Sequence, residues 1–575
     1  MLPVAVRRLL AIAVLSLAAW VPAAAQFEGV KASIQKKLTD DGVPSLAVAV
    51  ARGGEIIWEE GFGWADRAER IPATEHTMYS LASISKPITA TGLMILVERG
   101  QVDLDKPMND YLGAAKLNGR AFNASQATVR LVAGHRAGLP LHYQFFYEDE
   151  PYHRPPMDET IRRYANLVTA PGERYQYSNL GFGILDYLLS RVSGMSYTDF
   201  MRREVFLPLG MTHTSIDIAP ELAEHAATRY AADGTPIPFY DFDHPGGSAV
   251  FSSAHDLIRF GMFHLGDQLH EQQAILTAKS LEEMHRPTEV GASNGYGIGW
   301  SRATNSKGLV TVSHTGGMGG VSTTLILIPE LDAAVTVLCN ASSSAPHQIA
   351  QEIIAVLAPG KVELPPVAAP GVALDAAGRR RYVGDYDLGE TVLSITEGQG
   401  RLTASTSQGS SPLLYRGDDK FELEAAPGAT IAFAWERGVP VASFTMGGRT
   451  LSGRRGPPGP ALKKMPEIEG TWIGEVDTYE GAKPMVVRID ATGAVFVRLG
   501  EDPWTLLNDP NLRDGMLTGY FAGDIGTVDV NRRPYRLRLE VKHRGPVLNG
   551  GLIAQSLPAN RIGNALTHWV SLTKQ

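Results

Sequence analysis

The run Met78-Tyr-Ser-Leu-Ala-Ser-Ile-Ser-Lys-Pro-Ile-Thr-Ala-Thr-Gly-Leu-Met-Ile-Leu-Val-Glu-Arg-Gly100 carries apolar residues at Ile84, Ile88, Leu93, Leu96 and Val97. That is helical spacing, and Gly100 supplies a C-terminal stop. A helix beginning near Ser83 places Ser83 and Lys86 three residues apart on one face. A serine hydroxyl is a weak nucleophile; a buried lysine with a lowered pKa can take its proton. Pro87 falls in or just after the first turn, where a missing N–H costs least. The spacing alone is common. Ser33-Ile-Gln-Lys36 and Ser571-Leu-Thr-Lys574 repeat it, and a capped helix with a solvated lysine explains either one. What sets Ser83 apart lies downstream.

The chain has 575 residues, too many for one hydrophobic core, so about three domains are expected. With 60 glycines and 36 prolines it reads as folded, loop-rich and β-containing. A formal net charge of −8 argues against a nucleic-acid partner. Arg7 and Arg8, the apolar stretch 9–20 and Ala23-Ala24-Ala25 have the layout of a secretory leader over 1–25, which places the mature protein in the periplasm or outside the cell. No other stretch is long and apolar enough to span a membrane. Cys339 is the one cysteine, which rules out an internal disulfide. It lies in the apolar run Ala333-Ala-Val-Thr-Val-Leu-Cys339, where a small core residue is expected.

Along the chain, residues 27–37 read as a helix. Ser45-Leu-Ala-Val-Ala-Val-Ala51 and Glu55-Ile-Ile-Trp-Glu59, joined by Arg52-Gly-Gly54, read as a hairpin. Residues 128–138 and 253–265 read as helices, and 183–189 as an apolar helix entered from a Gly/Pro-led loop. Residues 142–158 read as a long polar, aromatic excursion. Leu309-Val-Thr-Val-Ser313, 321–328 and 334–338 are strand candidates. An antiparallel sheet built from both ends of this region, with helices between, satisfies that order. A linker is expected at 359–373, a small antiparallel β-barrel at 374–455, a second linker at 456–466 and a second barrel at 467–575. Tyr382-Val-Gly-Asp-Tyr386 and Gly470-Thr-Trp-Ile-Gly474 open these two units alike.

If Ser83 is a nucleophile it needs a proton relay, donors for the substrate and a cradle for the oxyanion. Tyr177-Ser-Asn179 offers a phenol and a carboxamide on a loop. A tyrosine polarised by an ammonium can accept the serine proton and return it to the leaving group; Asn179 can bond the lysine and a substrate carbonyl. Tyr164-Ala-Asn166 has the same letters but sits among helix-patterned residues, so Tyr177 is preferred. His314-Thr-Gly-Gly317 stands at the end of the Leu309–Ser313 strand, and its glycines let an edge strand approach substrate backbone closely with its N–H groups as donors. His314 adds a polar or cationic group there; as a lone residue it could equally be a turn histidine. The histidines show no metal-ligand spacing, so no metal or other cofactor is implied.

Taken in order, Ser80-Leu-Ala-Ser-Ile-Ser-Lys86, Thr128-Val-Arg-Leu-Val-Ala-Gly-His-Arg-Ala-Gly-Leu-Pro140, the loop from Pro171 to Asn179 and His314-Thr-Gly-Gly317 resemble the serine β-lactamase-like family over residues 27–357. That family includes penicillin-binding DD-peptidases, class C β-lactamases, D-aminopeptidases and esterases. The resemblance implies an α+β, β-lactamase/transpeptidase-like fold over 26–358, an antiparallel sheet with helices on both faces. It implies Ser83 as acylated nucleophile, Lys86 as activating neighbour and Tyr177 as general base and acid. Asn179, His314, Gly316 and Gly317 would bind substrate, and the N–H groups of Ser83 and Gly317 would form the oxyanion hole. His314 stands where class C β-lactamases carry lysine, and a largely neutral imidazole grips a β-lactam carboxylate less firmly. The tail resembles the lipocalin-like domains appended to some members. The function expected is an exported serine hydrolase cleaving short peptides, with D-residues among them. Esterase, β-lactamase and non-catalytic binder of peptidoglycan fragments follow in that order.

Overall fold

The structure, a computed structural model, describes residues 23–231, 233–267, 269, 271–364, 371–388, 392–398, 400–406, 409–424, 426–446, 449–456, 463–557 and 561–575. The expected leader falls almost wholly outside them, as do the middles of both expected linkers. The chain divides into two compact units, each drawn from separated stretches. The first comprises Met1–Gln101, Met195–Pro238 and Ser248–Val362; the second comprises Val102–Gly194, Phe239–Gly247 and Glu363–Gln575.

The first unit is built on an eight-stranded antiparallel sheet. Its central strands are β1 (Ser45–Arg52), β2 (Glu55–Asp66), β3 (Val310–Met318), β4 (Val321–Ile328) and β5 (Ala333–Cys339), ordered β2-β1-β5-β4-β3. The first strands of the chain thus pair with the last of this region, Leu46 opposite Cys339 and Arg52 opposite Ala333. The β1–β2 hairpin turns on Gly53 and Gly54, both with positive φ (61° and 77°), which explains why two glycines stand there. β1 and β5 are buried on both faces, because helices cover both. On one face lie α1 (Glu28–Asp40) and α5 (Ala345–Leu357), where Phe27, Val30, Ile34, Ile349 and Ile353 close over Leu46, Val48, Val335 and Val337. On the other lies α4 (Ala254–Leu265), so close that a Cβ on Gly261 would stand 3.2 Å from that of Ala334. The expected α+β architecture is observed. Cys339 is a buried core residue whose thiol burial pushes up to about 12.

The second unit joins the helical segment to the C-terminal sheets. Its main helix is α3 (Asn179–Ser193), longer than the expected 183–189 because Ser178 caps it, accepting the N–H of Gly181. The 142–158 stretch is not a free excursion: Phe145–Tyr147 pairs with Tyr240–Phe242. Two nearly closed barrel-shaped sheets follow. The first is an eight-stranded meander from Gly384–Asp387 to Arg449–Arg454, whose ends meet where Tyr386 bridges Arg455. The second has nine strands and closes on its termini, Gly470–Thr478 pairing with Ala565–Lys574. The similar openings share one device: Tyr386 Oη donates to Tyr382 O and Trp472 Nε1 to Ile468 O, each four residues back and buried. No described helix is long and apolar enough to cross a membrane.

Candidate active site

Ser83 lies in a one-turn 3-10 segment, Ala82–Ile84, and α2 (Ser85–Glu98) starts just after it, two residues later than the apolar spacing predicts. Ser85 produces that boundary. Its hydroxyl donates to Ala82 O (2.7 Å) and accepts the N–H of Val250 (3.0 Å). Ala82 is held at φ +48°, a left-handed conformation disfavoured for alanine, and the residue next to it is the candidate nucleophile. From Ser85 to Leu96 every residue of α2 is buried, so this is a core helix rather than an amphipathic one.

Lys86 is fully buried, and its Nζ donates to Ser83 Oγ at 3.0 Å. Burial drives the pKa of the amine well below the usual lysine value, because a dry site disfavours the ammonium. The two other Ser-x-x-Lys pairs lack this: Lys36 and Lys574 are exposed. Burial of the lysine is the physical difference among three copies of one spacing.

His314 is inside β3, which runs past the expected end at Ser313; the ladder to β4 continues through Gly316 and Gly317 to Met318. Its side chain is buried. Nδ1 lies 2.7 Å from Thr315 O, and Nε2 lies 2.8 Å from Tyr296 Oη. A carbonyl only accepts, so Nδ1 carries the proton and Nε2 accepts from the phenol. Burial, above all, lowers the His314 pKa to about 3. The imidazole is therefore a neutral, fixed dipole, which removes the cationic option. Gly316 is required sterically: a Cβ there would meet Leu81 O at 2.1 Å and Thr323 Oγ1 at 2.3 Å. Gly317 faces open space and is exposed. The strand thus presses on the turn carrying Ser83 at one glycine and leaves room at the next. Gly299 (φ +80°) packs the Tyr296–Trp300 turn against the same helix start, its Cβ position 2.7 Å from Ala90 Cβ.

In the second unit, Tyr177 precedes the cap of α3 and Asn179 is its first residue. The ring of His135 lies against that of Tyr177, with centroids 4.3 Å apart, and His135 Nδ1 accepts the N–H of Ser178 at 3.1 Å. His135 has φ +57°. The Thr128–Pro140 motif includes His135, but its letters give no sign that the ring lies against the phenol. Asn179 is buried and Nδ2 donates to His142 O at 3.0 Å. The competing Tyr164 is engaged elsewhere: its buried hydroxyl donates to Asp529, which also accepts from Tyr479 at 2.7 Å. Asp529 comes from the connection between two strands of the nine-stranded sheet, 365 residues away, and no local signal could reveal it. The same sheet grips the 142–173 stretch. Tyr143 bridges Ala565, Tyr147 Oη donates to Ile562 O, Arg561 pairs with Asp149, and Lys542 and Arg544 pair with Glu173.

Ser83, Lys86, His314 and Gly316 are thus gathered within the first unit, while Tyr177 and Asn179 are neighbours within the second. Residues 30–358 match the family profile described as Beta-lactamase. Among curated proteins, penicillin-binding protein 4* of Bacillus subtilis (strain 168) is 28% identical over 383 residues, covering 62% of this chain and 82% of that protein. Protein flp of Staphylococcus aureus (strain N315) is 24% identical over 317 residues, covering 54% of this chain and 62% of flp, less than two thirds of flp's own length. Among solved structures, an octameric penicillin-binding protein homologue from Pyrococcus abyssi aligns over 83% of this chain and 99% of its own (TM-score 0.52, 20% identity). A class C β-lactamase aligns over 59% of this chain and 98% of its own (TM-score 0.50, 19% identity). At those identities the two structures speak for the fold.

Proposed function

Because the chain belongs to the beta-lactamase family, whose profile covers more than half of it, we propose an exported serine hydrolase that forms an acyl-enzyme on Ser83 and cleaves amide bonds of short peptides, D-residue-containing ones among them. The observation that carries this reading is the buried Lys86 amine 3.0 Å from Ser83 Oγ. An amine held toward its neutral form by burial can lower the cost of removing the serine proton. Ser83 Oγ attacks the substrate carbonyl carbon and the hydroxyl proton passes to Tyr177, assisted by Lys86. The same proton goes to the leaving amine as the C–N bond breaks. Water then attacks the acyl carbon, gives a proton to the same relay and releases the acid with Ser83 regenerated. The N–H groups of Ser83 and Gly317 receive the oxyanion, Gly317 being the glycine with open space before it. Asn179 contacts the substrate amide.

Neutral His314 supports an uncharged or amide-bearing partner at that strand over a β-lactam carboxylate, which a cation would hold. Export rests on the basic-apolar-small pattern of residues 1–25. The test is a panel of D- and L-aminoacyl anilides beside simple acyl esters and a chromogenic cephalosporin. Amide turnover that disappears in Ser83→Ala is expected. Ester turnover with every amide inert would replace the peptidase reading with an esterase one.

A further inference from the structure

Four histidines from four separate segments of the first unit meet at one surface. His76 and His213 have ring centroids 5.2 Å apart, His76 and His255 4.9 Å, and His213 and His225 4.7 Å. The backbone fixes this meeting. Met78 N–H donates to His225 O, Ser253 N–H to His213 O, and His255 N–H to Glu75 O. His213 N–H is held by Asp256 at 2.6 Å. These ties run through the three-stranded sheet of Tyr79–Ser80, Val250–Ser252 and Thr214–Ile216, whose first strand leads into the Ser83 turn. The catalytic reading uses none of the four imidazoles.

Two imidazoles bound to one tetrahedral ion at about 2.0–2.1 Å from each nitrogen hold their ring centroids about 5 Å apart. The three separations bracket that value. The nitrogens are also prepared. Glu59 Oε2 holds His255 Nδ1 at 2.8 Å, the carboxylate–imidazole arrangement that fixes a tautomer and leaves Nε2 with its lone pair. His76 Nδ1 is buried and has no hydrogen-bond partner. Glu75 lies 3.7 Å from His76 Nε2 and Glu224 3.9 Å from His225 Nε2, and Asp256 sits behind His213, so four carboxylates surround four imidazoles. Arg259, one turn on from His255, is committed to Glu271 at 2.8 Å.

We propose that His76, His213, His225 and His255 form a binding site for one divalent transition-metal ion of borderline softness, such as Zn²⁺, Co²⁺ or Ni²⁺. As the rings now stand, no three such donors among the described residues converge on a point, so binding turns the half-exposed side chains, chiefly His76 and His225 (43% and 38% exposed). The ion would tie together the chain before Tyr79, the strand at Thr214 and the start of α4. That cross-link sits beside the strand feeding Ser83, in a chain whose single cysteine can make no internal disulfide.

The test titrates the full chain, stripped with a chelator, with Co²⁺, following its visible spectrum, and with Zn²⁺ by equilibrium dialysis. The expected result is one saturating equivalent per chain, the intense absorption of four-coordinate cobalt, and an upward shift of the thermal midpoint with Zn²⁺. His76→Gln/His225→Gln, which alters only half-exposed side chains, should weaken Zn²⁺ binding by at least about 100-fold while leaving the metal-free thermal midpoint unchanged. His255→Gln, from which Glu59 loses its partner, should weaken it independently. Absence of saturable binding, or equal binding by wild type and both variants, would overturn the proposal.

Discussion

Around Ser83 the fold works by excluding water. Lys86 is fully buried in a core helix, His314 is held neutral, and Gly316 lets a strand press within van der Waals limits on the Leu81 carbonyl. Around Tyr177 it works by bracing. A histidine ring lies under the phenol, a capped helix starts two residues on, and the stretch upstream is bolted by ion pairs to a sheet whose residues come hundreds of positions later. The difference follows from the chemistry each half is proposed to do. An amine must be dried to become a base, and drying needs a packed core. A phenol that passes a proton back and forth must be aimed, and aiming needs lateral contacts.

The dry half should break first and hardest. Gly316→Ala puts a methyl 2.1 Å from Leu81 O, and kcat/KM is expected to fall by at least about 10³-fold with circular dichroism unchanged. Lys86→Met should also lose about 10³-fold in kcat while melting a few degrees higher. The sign follows from linkage. The folded pKa of Lys86 lies below its unfolded value, so at neutral pH the unfolded chain binds the extra proton and the native lysine costs stability, a cost methionine removes.

The braced half should yield stability before activity. Asp529→Asn weakens a buried carboxylate that accepts from Tyr164 and Tyr479 and faces Arg163 at 3.6 Å. A loss of about 1–3 kcal/mol is expected, read as a lower denaturation midpoint, with kcat/KM changed less than tenfold.

Acid separates the two units more gently. Burial lowers His314 to about 3, His285 to about 4 and His264 well below the usual range in the first unit; in the second it lowers His568 to about 4. Each is neutral when folded and protonated when unfolded, so stability is full above about pH 6.5 and falls as pH drops from there toward 4, by about 1.4 kcal/mol per unit per group. His255, raised by its Glu59 partner, works the opposite way. The first unit should therefore lose hydrogen-exchange protection at higher pH than the second. Smallest of all, Lys36→Met, at a Ser-x-x-Lys pair whose lysine is exposed, should leave both activity and stability within about 0.5 kcal/mol of wild type.

Much of the dry half was legible in the letters, because its determinants are local. Ser83 and Lys86 share a turn, Gly53-Gly54 marks a hairpin, and an unbroken apolar run marks β5. What could not be read was which lysine is buried, since that depends on segments from far along the chain, such as the turn at Gly299, which packs against the Lys86–Pro87 backbone. The extent of β3 beyond Ser313 was not legible because the apolar alternation stops there, while Gly316 is demanded by the Leu81 carbonyl from another segment. The bracing of the Tyr177 segment was illegible altogether. Glu173 with Lys542 and Tyr164 with Asp529 are partners across more than 360 residues, and pair chemistry at that separation leaves no periodicity behind.

The proposal that Ser83 is acylated is tested most directly by intact-protein and peptide mass spectrometry after exposure to a fluorescent penicillin and to a fluorophosphonate. One covalent adduct per chain is predicted, mapped to Ser83, absent in Ser83→Ala and formed far more slowly in Lys86→Met. Intact protein that takes up neither reagent, or carries the adduct on another residue, would contradict the account.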